Sequence, residues 1–197
     1  MTTTRDTDAD EMAGPVTGAE VGGAAERVDS AFRRSALYVA LAAASIATFG
    51  SLYFSEVRGL EPCALCWYQR ILMYPLVAII SIGLLRRDRG VPAYVLPLSV
   101  TGIAVATYHY LVQARVIHHS IACERGVPCS GRYIDWFGFV TIPFLALVAF
   151  VVISLATSAA RSGDWTLVGL PGRPWREVVA TIAASLVLIA VLHLLLG

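Results

Sequence analysis

The sequence contains no lysine, and only 15% of its 197 residues are charged. Soluble domains carry about 25% charged residues, so this chain lacks the surface chemistry of a soluble domain. Its apolar content is 57%, concentrated in blocks of roughly 20 residues, the length that crosses the hydrocarbon core of a bilayer. The composition excludes a water-soluble core and predicts one compact, polytopic membrane domain.

Acidic residues are scarce after residue 29, because seven of the 14 lie within the first 29 residues. The first 30 residues are rich in Gly, Thr and Asp and have almost no large apolar side chains, so they cannot bury enough surface to order themselves. They also lack the basic start of a secretory signal, and the apolar run that follows is too long for one. We expect residues 1–30 to form a disordered, acidic cytosolic tail.

Five apolar segments are long enough to span a membrane. They cover residues 35–54, 67–85, 91–112, 136–156 and 178–196. Prolines lie inside the third and fourth segments, which membrane helices tolerate because neighbouring groups satisfy the freed carbonyls. The predicted fold class is an all-α membrane protein with five transmembrane helices.

Arginine is distributed unevenly between the connecting segments, and this bias predicts orientation because positively charged loops remain in the cytosol. With the N-terminus inside, ten arginines fall in cytosolic segments and four in outer loops. The turn Arg86-Arg87-Asp88-Arg89 contributes most to this bias. We therefore expect a multi-pass plasma-membrane protein with a cytosolic N-terminus and its cysteines on the outer face, where disulfides form and persist.

The cysteines form two close pairs, Cys63/Cys66 and Cys123/Cys129. Pro62 precedes the first pair and suits the first turn of a helix, so we expect both of these cysteines at a helix N-terminus. There the helix dipole and free N–H groups stabilise a thiolate. A low thiol pKa in turn makes the corresponding disulfide a strong oxidant.

Arg70 lies one helical turn beyond Cys66. Its charge can stabilise a thiolate or an oxygen of a bound cofactor. A simpler interpretation stays open, in which both cysteine pairs are structural disulfides and Arg70 extends its side chain to the membrane surface. Zinc held by four thiolates is a second alternative, but the Cys123/Cys129 spacing is loose for zinc and the outer face favours oxidation. We expect no metal.

The four histidines are the remaining candidates for functional residues. His109 lies near the outer end of the third segment, and an ionisable residue inside a membrane segment is a functional candidate, although a packing role is equally compatible. His118 and His119 are expected to be solvated loop residues. His193, in the fifth segment, is expected to have a structural or interfacial role.

Five stretches in a fixed order carry a resemblance to a known family. They are residues 50–58 (GSLYFSEVR), 62–76 (PCALCWYQRILMYPL), 109–111 (HYL), 126–131 (GVPCSG) and 136–144 (WFGFVTIPF). Together they resemble the DsbB family of membrane thiol oxidases, most closely its short BdbC type, over about residues 37–157. The resemblance implies a four-helix transmembrane bundle over residues 31–157, followed here by a cytosolic loop (158–177) and an additional hydrophobic helix (178–197).

The family implies a function as well. Its members reoxidise an extracytoplasmic thioredoxin-like protein of the DsbA or BdbD type and pass two electrons to a membrane quinone, of the menaquinone or ubiquinone type. This activity supports disulfide formation in exported proteins, and no nucleic-acid partner is expected. The acidic tail and the fifth helix depart from the family pattern without touching its motifs.

The resemblance also implies a role for each cysteine. A thiolate of the partner attacks Cys123, Cys129 then attacks the Cys63–Cys66 disulfide at Cys63, and Cys66 leaves as the thiolate that contacts the quinone. The implied disulfides are therefore Cys63–Cys66 and Cys123–Cys129. Two further residues match family positions beside the quinone, Arg70 and, less closely, His109.

Overall fold

The computed structural model describes residues 18–88, 90–117, 127–131, 138–160 and 174–196, with side chains from residue 35 to residue 195. These residues form five helices: α1 (Gly18–Leu52), α2 (Ala64–Arg86), α3 (Val91–Gln113), α4 (Ile142–Ala160) and α5 (Pro174–Leu196). All five are long and apolar enough to cross a membrane; for α1 the span is Ser35–Val57, which includes the π-helical turn Tyr53–Val57 that follows this helix. The predicted all-α membrane fold is confirmed.

The N-terminal helix is longer than predicted. It begins at Gly18, so residues 18–30 are helical and our expectation of disorder is wrong for this part of the tail. Residues 18–30 include several alanines and glutamates, which favour helix, and extending an existing helix costs far less than nucleating one. Residues 1–17 lie outside the described part of the chain.

Proline explains two other differences in helix boundaries. We predicted that the fourth helix would begin at residue 136, but α4 begins at Ile142. Pro143 is therefore in its first turn, where the missing N–H costs nothing. Similarly, α5 begins at Pro174 rather than at residue 178. Trp136 lies outside the described residues.

The first four helices pack in a ring, in which each contacts its neighbours in sequence and α4 contacts α1. Their inward side chains form the main apolar core, to which all five helices contribute. A hydrogen bond of 2.8 Å from the Ser154 hydroxyl to the Ser99 hydroxyl joins α4 to α3 inside this bundle. The expected four-helix arrangement is thus present over the described residues.

The fifth helix lies outside the ring, against α1 and α2. Ile189 faces Gly50 near the end of α1, and His193 Nδ1 lies 2.9 Å from the Tyr53 hydroxyl just beyond that end. Because residue numbers rise together along both helices, α5 runs parallel to α1. The C-terminal end of α5 is therefore at the same end of the bundle as Cys63.

A glycine sets the distance between α3 and α4. A Cβ atom at Gly102 would overlap three ring carbons of Phe150, which is fully buried. We expect Gly102→Ala to lower the free energy of unfolding by about 1–3 kcal/mol, because added volume in a packed core forces side chains from their preferred positions. Thermal unfolding in detergent measures this. Gly50→Ala is the matched control, since a Cβ there makes ordinary contact, and equal midpoints for the two variants would contradict the expectation.

Candidate functional site

The segment between α1 and α2 leads to the first cysteine pair. Helix α1 continues as a π-helical turn, Tyr53–Val57, a feature found frequently at functional sites. Gly59, with φ of 64°, then reverses the chain, and the Leu60 N–H donates to the Phe54 carbonyl at 3.0 Å. This short connection leads to Cys63 at the start of α2.

Cys63 is the N-cap residue of α2, with φ −71° and ψ 171°. Its carbonyl accepts the hydrogen bond from the Trp67 N–H at 3.1 Å. Pro62 therefore precedes the helix, and our placement of it in the first turn is wrong by two residues. Both cysteines nevertheless lie at the helix N-terminus, as expected, because Cys66 is the third helical residue.

The two thiols of this pair are free and adjacent, with their Sγ atoms 3.2 Å apart. Cys63 is buried, whereas Cys66 is partly exposed. A hydrogen bond from Cys66 lowers the pKa of Cys63 from 9.0 to about 4, with help from His109 and against the effect of burial. The structure thus describes the reduced state of the expected Cys63–Cys66 disulfide, and stabilising a thiolate in that state makes the disulfide more oxidising.

His109 lies between Cys63 and Cys129. Its Nε2 atom is 3.6 Å from Cys63 Sγ and 3.3 Å from the backbone carbonyl of Cys129, and Gln69 Nε2 is 3.1 Å from its Nδ1. Because a carbonyl can only accept, Nε2 carries a proton and donates it there, while the Gln69 amide donates to Nδ1. The imidazole is only 1% exposed. Two of these three contacts are with cysteines, and the predicted position of His109 at a quinone stays a prediction.

The second pair is described only in part, because Cys123, His118 and His119 lie outside the described residues. Cys129 is disulfide-bonded and 2% exposed. It packs in one apolar cluster with Cys63, Leu65 and Val112, and Cys66 lies at the edge of that cluster. The predicted proximity of the two pairs is therefore seen for Cys129 and Cys63.

A glutamine on α3 holds the Cys129 loop in place. Gln113 Nε2 donates to the Gly131 carbonyl at 2.8 Å, two residues after Cys129. Gln113 and Gln69 are both buried, yet our sequence analysis did not single out either one as functional. Each is a glutamine within an apolar segment, and this pattern could have identified them. Gln113 lies four residues after His109, and Gln69 lies three residues after Cys66.

Arg70 lies deeper, on the α1 side of α2. Its Nη2 donates to the Ser51 carbonyl at 3.1 Å, and its guanidinium carbon is 5.3 Å from the centre of the Trp67 ring. Its Nε is buried and has no hydrogen-bond partner among the described residues. Trp67 and Ile71 are 54% and 62% exposed.

These features define a helical membrane protein with a thiol pair at a helix N-terminus and a further cysteine, Cys129, packed beside it. The family model described as "Disulfide bond formation protein DsbB" matches residues 33–192, so the chain belongs to the DsbB family. Within that family it is of the BdbC type.

Curated relatives agree with this family. The chain is 55% identical over 118 residues to "Disulfide bond formation protein C" of Bacillus subtilis, an alignment that covers 59% of this chain and 86% of the relative. It is 56% identical over 113 residues to "Probable disulfide formation protein C" of Halalkalibacterium halodurans, covering 56% and 82%. No solved structure is significantly similar to the chain.

Proposed function

We propose that this protein is a quinone-dependent protein thiol oxidase that supports disulfide formation in exported proteins. The observation that carries the proposal is the juxtaposition of the pairs: Cys63 and Cys129 share one buried cluster, with His109 Nε2 in contact with both residues. Exchange between two disulfides requires such proximity. Family membership and the names of the relatives support the same function.

The proposed relay moves two electrons inward. A thiolate of an extracytoplasmic thioredoxin-like protein attacks Cys123 and releases Cys129 as a thiolate, and the partner's second thiol completes its own disulfide by freeing Cys123. Cys129 attacks Cys63, which breaks the Cys63–Cys66 bond and leaves Cys66 as a thiolate. Cys123 then attacks Cys129 and releases Cys63. This restores the Cys123–Cys129 disulfide, which we call the outer pair, and leaves Cys63 and Cys66, the inner pair, reduced.

His109 is placed to assist the inner exchange. The Nε2–H donates to the Cys129 carbonyl and is 3.6 Å from Cys63 Sγ. His109 therefore orients the backbone of Cys129, the attacking residue. It also supplies a hydrogen bond to the sulfur of Cys63 whenever that sulfur carries negative charge. Gln69 fixes the ring in the required orientation through Nδ1.

The residues around Cys66 fit a quinone as the final acceptor. A bound quinone would take up two electrons from the reduced pair, together with two protons, as Cys63 and Cys66 return to their disulfide. Arg70 would hold one of its oxygens, through the buried Nε that lacks a partner among the described residues, and Trp67 and Ile71 would contact its apolar ring. The membrane setting, with five helices able to span it, supports a lipid-soluble acceptor.

Reoxidation of the purified protein tests the proposal. We expect the reduced protein to lose two thiols for each molecule of a short-chain quinone added, measured by thiol titration and by quinone absorbance. The outer pair is replaced by serine in this experiment, so that only Cys63 and Cys66 supply electrons. Thiols that persist in excess quinone would contradict the proposed function.

Arg70→Ala separates quinone binding from thiol exchange. A hydrogen bond from a charged group contributes about 1.5–3 kcal/mol, so we expect the apparent KM for quinone to rise about 10- to 150-fold. Exchange with the thioredoxin-like partner should change far less. Arg58→Ala, an exposed arginine at the same end of the bundle, is the control. Equal losses in both steps would instead assign Arg70 a structural role.

A further inference from the structure

Three side chains of the kind that bind metals converge at the helix N-terminus. The sulfur atoms of Cys63 and Cys66 and a ring nitrogen of His109 all lie within 4.8 Å of one another. The two sulfurs are 3.2 Å apart, and Cys63 Sγ is 3.6 Å from His109 Nε2. With zinc–sulfur bonds of about 2.3 Å and zinc–nitrogen bonds of about 2.0–2.1 Å, tetrahedral geometry places ligand atoms roughly 3.5–3.8 Å apart. The first two separations differ from zinc geometry by about half an ångström or less. The third, between Cys66 Sγ and the His109 nitrogen, is at most 4.8 Å and would close by up to about 1.3 Å.

The surroundings of His109 also suit a ligand. A histidine that binds a metal usually donates its other ring N–H to an oxygen, which fixes the orientation of the ring. Nδ1 of His109 faces the side-chain amide of Gln69 at 3.1 Å, and Gln69 is buried. A half-turn of that amide presents its oxygen to an Nδ1–H. Nε2 then gives up its proton and its hydrogen bond to the Cys129 carbonyl and can coordinate, while Gln69 holds the ring in place.

We propose that the reduced protein binds one Zn²⁺ or a similar thiophilic cation through Cys63, Cys66 and His109, and that the cation blocks oxidation of the pair. Each ligating sulfur is a thiolate, so any thiol proton still present passes to solvent, and no electrons move. Water occupies the fourth position. The Cys63–Cys66 disulfide has no thiolate to offer, which confines binding to the reduced state.

This site differs from the four-cysteine zinc site considered from the sequence. Cys129 is disulfide-bonded, so its sulfur is not a free ligand, and a histidine on α3 takes part instead. Two of the three ligating residues are buried, which separates the site from an incidental cluster of exposed side chains. The prediction is therefore a particular ligand set that survives removal of the outer cysteine pair.

Zinc and cobalt titrations of the full-length chain test the proposal. The reduced variant Cys123→Ser/Cys129→Ser is titrated with Zn²⁺ against a chelating dye, and with Co²⁺ to record sulfur-to-metal charge transfer. We expect one metal per chain and none in the oxidised protein. Gln69→Leu should weaken binding about 10- to 100-fold, and His109→Gln should weaken it more. His193→Gln, the same substitution on α5, is the control and should leave binding unchanged.

The second measurement is the rate at which the thiol oxidant diamide oxidises the Cys63/Cys66 pair. Saturating Zn²⁺ should slow this rate at least tenfold, and a chelator should restore it. Binding that disappears with the outer cysteines, or that is the same in His109→Gln and His193→Gln, overturns the proposal. If His109→Gln does not fold, Gln69→Leu replaces it, and metal binding by Gln69→Leu that equals binding by His193→Gln overturns the proposal. None of these measurements involves quinone or a partner protein, so failure here leaves the proposed function standing.

Discussion

Replacing Cys66 with serine is expected to reduce quinone-dependent reoxidation to the uncatalysed background. A hydroxyl cannot form the disulfide with Cys63 or release two electrons as a thiolate, so the last step of the relay has no donor. The decrease in quinone absorbance, with the reduced thioredoxin-like partner as substrate, measures the effect. Normal consumption of quinone by this variant would refute the proposed order of electron transfer.

A control is needed because Cys66 also lies in the first turn of α2. Ala64→Ser adds a hydroxyl to the same turn and leaves both thiols in place. We expect this variant to retain most of the activity. If the pair were a structural disulfide, Cys66→Ser would lower the thermal unfolding midpoint and would have no specific effect on quinone turnover. Measuring both quantities on both variants separates the two interpretations.

Replacing Cys129 with alanine is expected to trap a covalent complex. Cys123 is then left as a lone thiol. It should attack the disulfide of an oxidised thioredoxin-like protein and form a mixed disulfide, with release of that protein's second cysteine as a thiolate. Cys129, the residue that would displace the partner from Cys123, is absent, so the complex should accumulate as a single band on a non-reducing gel.

The trapped complex should vanish with reductant and should not form when Cys123 is also replaced. Replacing the second cysteine of the thioredoxin-like protein should abolish the complex, because that protein then has no disulfide for Cys123 to attack. A protein that gives no complex with any exported thioredoxin-like protein under these conditions does not work by the proposed relay. Cys63→Ala is the matched control, since it leaves the outer pair intact and should trap nothing at Cys123.

Long apolar segments and the Cys-x-x-Cys spacing were sufficient to predict the helices and the position of the first thiol pair. Both are local properties of the sequence, since the length of a span follows from the bilayer and a helix N-terminus favours a thiolate. The start of α4 was predicted less well because an apolar residue does not reveal whether it lies in the helix or in the turn before it. Pro143 marked that boundary, and we had placed it inside the span.

The contacts of His109 could not be predicted from local patterns. They join α2, α3 and the Cys129 loop, so they depend on how distant segments pack. The same applies to Gln113, which holds that loop to α3. The sequence identified His109 as ionisable and near the end of a span, but its distance from Cys63 is a tertiary property. Buried glutamines beside a known motif are the signal to examine first in such chains.

The parallel packing of α5 on α1 has a practical use. Two helices that cross in the same direction begin on one side of the membrane and end on the other, so the start of α1 and the end of α5 lie on opposite sides. A reporter joined after α5 would therefore share its compartment with the cysteines, whereas one joined before α1 would not. A fluorescent protein that matures only in the cytosol and a phosphatase that folds only outside it would thus distinguish the two ends of a single chain.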